Sequence, residues 1–423
     1  MDVDNSNQLS QCLQDIQPMW KWVAAVIFLA ITGLTTGSVN LYPSQRDSIM
    51  HALNISDEVA TFMLTGGVMI MYITLPAGLF MDHFGGNLTL LVSAVITIIS
   101  YIFLSFFTKP TWLFITFYLL MAFGSSSLFI VCLQLVLSRA PAKIKGASAS
   151  IIGASLSMSF GMFLEIYKTG KNIFKCTDDD CVFSSFRIVG LIVISMIIVG
   201  APTSYFFYRK FPSSGNQPST HYWSLFGDFH LYSFILAMLI TVFDGMLVLE
   251  GGDHIWKTYG DGYSNGASDW GIAFSVINCV MTILISILID FLIHRLEQTR
   301  VKIYGVIFML LGIIPFILGF IFKFTNNETL FGIIFSMLGI SFGIGLTQIP
   351  TLVSDVFGND KYGFAFGVVQ VGSIISSASA MPILLKLQKS GITCTFFLFA
   401  FFHLVLGFAF ILFKKDNSYI SIA

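Results

Sequence analysis

The chain has 423 residues, of which 55% are hydrophobic and only 11% charged, and its mean hydropathy is +0.82. A water-soluble domain carries roughly 25% charged residues, so this much apolar surface excludes a soluble globular protein and requires lipid as part of the solvent. The formal net charge of -1 supplies no basic field for nucleic acid.

Residues 1–19 are polar and read as a cytoplasmic tail. The apolar run after them is long enough to span the bilayer rather than be removed, which makes it an uncleaved signal-anchor helix. A hydrocarbon core of about 30 Å demands about 20 apolar residues per helix. Such runs are expected near 20–41, 59–81, 88–107, 112–137, 146–166 and 186–208. They resume near 230–252, 270–292, 301–322, 329–353, 364–385 and 393–413. Pro76, Pro315, Pro350 and Pro382 fall inside these runs, where neighbouring helices or water take up the freed carbonyls. The small-residue face at 146–161 allows close helix–helix approach.

Between the two sets, residues 209–229 have the Pro, Ser and Gly content of a linker. The expected fold is an all-α polytopic membrane protein. Twelve transmembrane helices form two six-helix halves, 20–208 and 230–413, with a central cytoplasmic linker and a cytoplasmic tail at 414–423.

Lysine and arginine divide almost evenly between the two sides and do not set the orientation. With both termini cytoplasmic, Cys176 and Cys181 lie in a non-cytoplasmic loop between helices five and six, where a disulfide persists; two free thiols are the alternative. Cys12, Cys132, Cys279 and Cys394 are isolated. Sequons at Asn54 and Asn327 share that side, whereas the one at Asn87 does not. These features imply the secretory route, and hence the plasma membrane or a vacuolar or lysosomal membrane.

The loop between helices two and three reads Gly78-Leu-Phe-Met-Asp82-His83-Phe-Gly85-Gly86. Gly78 permits close packing, Asp82 sits at a helix end where it can bond the exposed N–H groups of another helix, and Gly85 makes the turn. Aligning Asp290 with Asp82, 208 residues earlier, places Ser286-Ile-Leu-Ile-Asp290-Phe-Leu-Ile-His294-Arg295 in the matching loop, with an aspartate and a cation but neither glycine. Lys145-Gly146 opens helix five as Tyr362-Gly363 opens helix eleven, the two glycines lying 217 residues apart. Two halves in parallel repeat follow.

The first loop resembles the signature loop of the major facilitator superfamily. The resemblance implies the major facilitator fold and alternating access, with Asp82 docking on the start of helix eleven around Gly363 and Phe364 as a conformational latch. His83 replaces the usual arginine, and Gly86 and Asn87 replace cations, so the charge-pair part of the latch is weakened or made pH-sensitive. Pro350-Thr-Leu-Val-Ser354-Asp355-Val-Phe357-Gly358 through Gly363 resembles the matching segment of nodulin-like facilitators and fungal monocarboxylate-transporter homologues. Gly37 to Tyr42, Leu53 to Ser56 and Pro76 to Asp82 fit the same group, and Leu75 to Gly85 is also similar to neutral amino-acid facilitators. A transporter of a small organic solute, monocarboxylate- or amino-acid-like, is implied; a facilitator-fold receptor or partner protein without transport is the alternative.

The resemblance puts the solute near the midplane between helices one, four, seven and ten. Asp244 lies over halfway along helix seven with no opposite charge three or four residues away. A carboxyl at that depth must be paired, hydrated or protonated, which makes Asp244 a candidate for substrate or proton coupling; a water-facing acid in an outer vestibule is the alternative. Glu250 and Glu165 stand near outer helix ends, and Asp355 caps or latches the inner end of helix ten. Gln134, Gln348, Gln370 and Asn278, with Asn40 and Tyr42, are candidates for solute hydrogen bonds or for interhelical ones. The cores of helices one and four carry no basic residue, which argues against tight anion binding. No metal-ligand histidine spacing, nucleotide-binding glycine loop or nucleophile triad appears, so neither an enzyme nor a cofactor is expected. The expected partners are a small solute, protons and the lipid bilayer, and the expected state is a monomer.

Overall fold

The computed structural model describes residues 19–107, 109–173, 179–209, 222–249, 266–296, 298–325, 328–387 and 392–412. Span one is Met19–Leu34, continued by a 3-10 helix Thr35–Asn40; span two is Asp57–Met71 with Leu75–Phe84. Spans three to six are Gly86–Phe106, Thr111–Leu137, Lys145–Ile173 and Asp179–Tyr208. Spans seven to ten are Phe229–Leu249, Gly266–Leu296, Arg300–Thr325 and Glu328–Phe357. Span eleven is Tyr362–Val369 with Val371–Leu387, and span twelve is Ile392–Leu412. Eleven of these are long and apolar enough to cross a bilayer among the described residues. Span twelve has 21 residues, which at about 1.5 Å per residue is about 31 Å and matches a hydrocarbon core. The fold is all-α, and the chain is a multi-pass integral membrane protein.

Trp20, Phe62, Leu91, Trp112, Phe324 and Val405 point outward, which is the lipid-facing surface the composition required. Buried hydroxyls mostly serve their own helices: Thr97, Ser127 and Thr351 each donate to a carbonyl four residues back, at 2.7 to 2.8 Å. Spans three and six pack around one and four, and spans nine and twelve pack on each other beside seven and ten. Across the middle, span two meets span eleven and span eight meets span five, two pairings that repeat one another.

Three features depart from twelve plain rods. Span two breaks at Tyr72–Thr74, where the Thr74 N–H reaches the Tyr72 carbonyl at 2.9 Å, and Pro76 falls in the first turn of the second piece. Span eleven breaks at Gln370, between Val369 and Val371. A short helix Arg46–Leu53 follows span one; it ends on Asn54 at φ 52°, and Ser56 caps the next helix through the Val59 N–H. Asn54 is exposed in that turn. Cys176, Glu250, Asn327 and the side chain of Cys181 lie outside the described residues. Near the end of the linker, the 3-10 helix Tyr222–Gly227 packs Tyr222 on Phe364 with ring centroids 4.9 Å apart. Burial, with the Asp82 and Asp360 carboxylates nearby, pushes the Tyr222 hydroxyl above the ordinary phenol range.

Candidate functional site

Two carboxylates tie the halves together at the face carrying the loops between spans two and three and between eight and nine. Asp82 accepts the Gly363 N–H on Oδ1 at 3.0 Å and the Phe364 N–H on Oδ2 at 2.8 Å. Both donors belong to the first turn of span eleven, whose N–H groups have no partner within their own helix. Such charge-assisted bonds contribute about 1.5–3 kcal/mol each. The contact is possible because Gly78 and Gly363 meet backbone to backbone: a Cβ on either would run into the carbonyl of the other. Gly85 turns the chain at φ 85°. His83 turns back on its own helix, with Nδ1 3.0 Å from the Leu79 carbonyl.

Asp290 repeats this docking in the opposite sense. Its Oδ2 accepts the Ala147 N–H at 2.7 Å, beside Gly146 at the start of span five. Its other oxygen lies 2.7 Å from Arg300 Nη1, and both side chains are over nine-tenths buried. Arg300 donates from Nε to Asp355 at 3.0 Å, and the second Asp355 oxygen takes Lys145 Nζ at 2.7 Å. Lys145 also donates to Ser354 at 2.9 Å. Gln348 donates to Ser286 at 2.8 Å and faces Arg300 Nη1 at 3.4 Å. Gln348 thus bonds within this cluster, and Asp355 bridges two cations rather than capping a helix.

Arg295 does not join it. Its side chain is exposed on the last turn of span eight, and the cation at Asp290 is Arg300 instead. Five residues along a helix turn through about 140° net, so Arg295 faces away from Asp290. Arg295→Ala is expected to change unfolding stability by no more than about 0.5 kcal/mol, measured by denaturation in detergent.

A narrow pocket lies between the halves. It is lined by Asn40, Tyr72 and Ser157 from the first half, by Asn278 and Phe342 from the second, and by apolar neighbours. Two helix irregularities feed it: Asn40 ends the 3-10 segment of span one and Tyr72 opens the break in span two. Asn278 is fully buried; its Oδ1 accepts from Thr282 at 3.0 Å, and its Nδ2 has no hydrogen-bond partner among the described residues. A buried amide N–H left unpaired costs about 1–3 kcal/mol, which keeps Asn278 a candidate donor to a solute. Among the described residues, no lysine, arginine, histidine or carboxylate lines it.

The remaining candidates fall elsewhere. Gln134 is buried against the start of span three at Gly86. Gln370 accepts from Ser373 at the break in span eleven. Tyr42 stacks on Phe186 at 4.6 Å inside the first half. Exposed Glu165 pairs with Lys168 at 3.2 Å. Asp244 is fully buried within the second half and meets His403 of span twelve, an ionisable residue that sequence reasoning passed over. Arg300 and Lys145 were missed as well, since each reaches its partner across a loop or across the halves.

Two helical halves, each docking a carboxylate on a helix start of the other, with a pocket between them, are the architecture of a membrane transporter. The sequence profile of the Major Facilitator Superfamily matches residues 22–381, and the chain belongs to that family. Among solved structures it is similar to the proton:xylose symporter XylE bound to 6-bromo-6-deoxy-D-glucose, at 17% identity and TM-score 0.67, covering 92% of this chain and 94% of that one. The E. coli fucose:proton symporter FucP aligns at 13% identity and TM-score 0.66 over 93% of this chain and all of its own. The human organic anion transporter MFSD10 aligns at 11% identity and TM-score 0.65 over 93% and 99%. No curated protein sequence matches the chain.

Proposed function

We propose that the chain carries a small, uncharged polar solute by alternating access, and that the state described here is the one closed at the latch face. The observation that supports it best is the narrow pocket lined from both halves, among the described residues, by amide, hydroxyl, aromatic and aliphatic groups and by no charged one. A carboxylate solute would enter it without a cation, so the monocarboxylate- or amino-acid-like substrate implied by the nodulin-like resemblance is the less favoured reading. Two of the similar structures are symporters of sugars, xylose and fucose, whose hydroxyl groups suit such a lining. The membrane fits either the cell surface or a vacuole or lysosome.

Purified protein in liposomes, offered sugars, polyols, monocarboxylates and neutral amino acids, should take up a member of the first two classes. Asn278→Ala and Asn40→Ala should each raise its KM about tenfold, the loss of one net hydrogen bond, with little change in the rate at saturation. Uptake of none of these solutes, with none raising thermal stability, would instead favour the receptor or partner reading.

A further inference from the structure

The side chains that the second half contributes to the pocket are Phe274 and Asn278 of span eight and Phe342 of span ten. Each of them rests on a glycine. The Phe274 ring lies against Gly339, the Asn278 carboxamide against Gly343, and the Phe342 ring against Gly245. A Cβ on any of these glycines would overlap the side chain that covers it. Gly339 and Gly343 stand one turn apart on span ten, as Phe274 and Asn278 do on span eight. Separated by a single span, the two helices run in the same direction, and their turns match.

A glycine inside a helix is less stable there than alanine, and in a membrane close helix approach offsets the loss. At Gly78 and Gly363 the atoms admitted by that approach are backbone; at Gly339, Gly343 and Gly245 they belong to pocket-lining side chains. Phe274, Asn278 and Phe342 are all more than nine-tenths buried. A close-packed interior gives a displaced side chain only the space already open to it. Each of the three borders the pocket, and the pocket is that space. An added methyl at one of the glycines is therefore felt at the pocket wall.

Asn278 is the sharpest case. Its Oδ1 is held by Thr282 at 3.0 Å, and its Nδ2 has no partner among the described residues. Gly343 makes room for both Asn278 Oδ1 and Thr282 Oγ1, so it fixes the depth at which the free N–H meets a solute.

We propose that Gly339, Gly343 and Gly245 determine size specificity: they hold the second-half wall back and so set the largest solute the pocket admits. This rests on the carrier reading. The glycines act as positioning residues, through the two rings and the carboxamide that cover them.

The test uses the full chain in liposomes and two carried solutes that differ by one carbon unit, a pentitol and a hexitol or a pentose and a hexose. Gly339→Ala and Gly343→Ala should each raise the KM of the larger solute about tenfold relative to the smaller, the discrimination one carbon unit commands in a fitted pocket. A merely structural glycine would weaken both solutes alike. Gly345→Ala is the control, because Gly345 lies on the same span but faces Thr241, outside the pocket lining; its KM ratio should stay native. The double variant Gly339→Ala, Phe274→Leu, with the ring shortened to match, should restore the native ratio, and it carries the test where Gly339→Ala alone does not fold. A ratio unmoved in the folded alanine variants, or moved as far by Gly345→Ala, would overturn the proposal. So would a double variant that fails to fold or to restore the ratio. Uptake of neither solute class by the unsubstituted chain would reject the carrier reading and the proposal with it, whereas uptake with an unmoved ratio rejects the proposal alone.

Discussion

Arg300→Ala is expected to be the most destabilising single change at the latch face, by about 3–5 kcal/mol. That is the cost of stranding a buried charge by removing its partner. Asp290 bears most of it, because among the described residues only Arg300 neutralises it and it is 5% exposed. Asp355 keeps Lys145, and that pair is partly exposed, at 15% and 33%; Lys145→Ala is accordingly expected to cost no more than about 1 kcal/mol. Arg300→Lys should fall in between, since an ammonium keeps the charge but cannot bridge Asp290 and Asp355 with a planar fork. The decisive comparison is the double variant Arg300→Ala, Asp290→Asn, which removes the stranded charge and should recover part of the loss. Denaturation of the four variants in detergent gives the answer, and a loss under about 1 kcal/mol in Arg300→Ala would mean the cluster is hydrated and the pairing incidental.

The cluster also shows why some of the molecule was legible in the sequence and some was not. Spans are legible because lipid requires long unbroken apolar runs, and the runs starting near 20, 88 and 301 begin within two residues of the helices Met19–Leu34, Gly86–Phe106 and Arg300–Thr325. The Asp82 partner came from the resemblance of its loop to the family signature, since the residues alone ask only for N–H donors at some helix start. Arg300 is different. It reaches Asp290 across the turn between spans eight and nine, and linear proximity favours the wrong cation, Arg295. His403 has no helical neighbour to pair with, and its meaning appears only when span twelve lies beside span seven. Its one signal was that an ionisable side chain in an otherwise apolar span is costly and needs a reason. The breaks near Tyr72 and Gln370 differ again: the first is hinted at by Pro76, which disfavours helix for the residue before it, while Gln370 has no such marker.

Gly78→Val should remove most transport while leaving the halves folded. The two docking contacts are unequal in make-up: Asp290 has a guanidinium as well as an N–H, whereas among the described residues Asp82 has backbone donors alone. Closure at Asp82 therefore depends on how closely span two approaches span eleven, and a side chain at Gly78 would occupy the place of the Gly363 carbonyl. Backing the helices apart forfeits both hydrogen bonds, roughly 3–6 kcal/mol together, and the gain is confined to states open at this face. A bias of that size moves a balanced equilibrium by about a hundredfold or more, so turnover should fall by about that factor. Asp82→Asn is the milder counterpart, because an amide keeps one acceptor for the Gly363 and Phe364 N–H groups. Spin labels placed on the latch ends of spans two and eleven would report the separation directly. A closed-state distance in Gly78→Val equal to that of the unmodified chain, with turnover intact, would show that the glycine contact does not set closure.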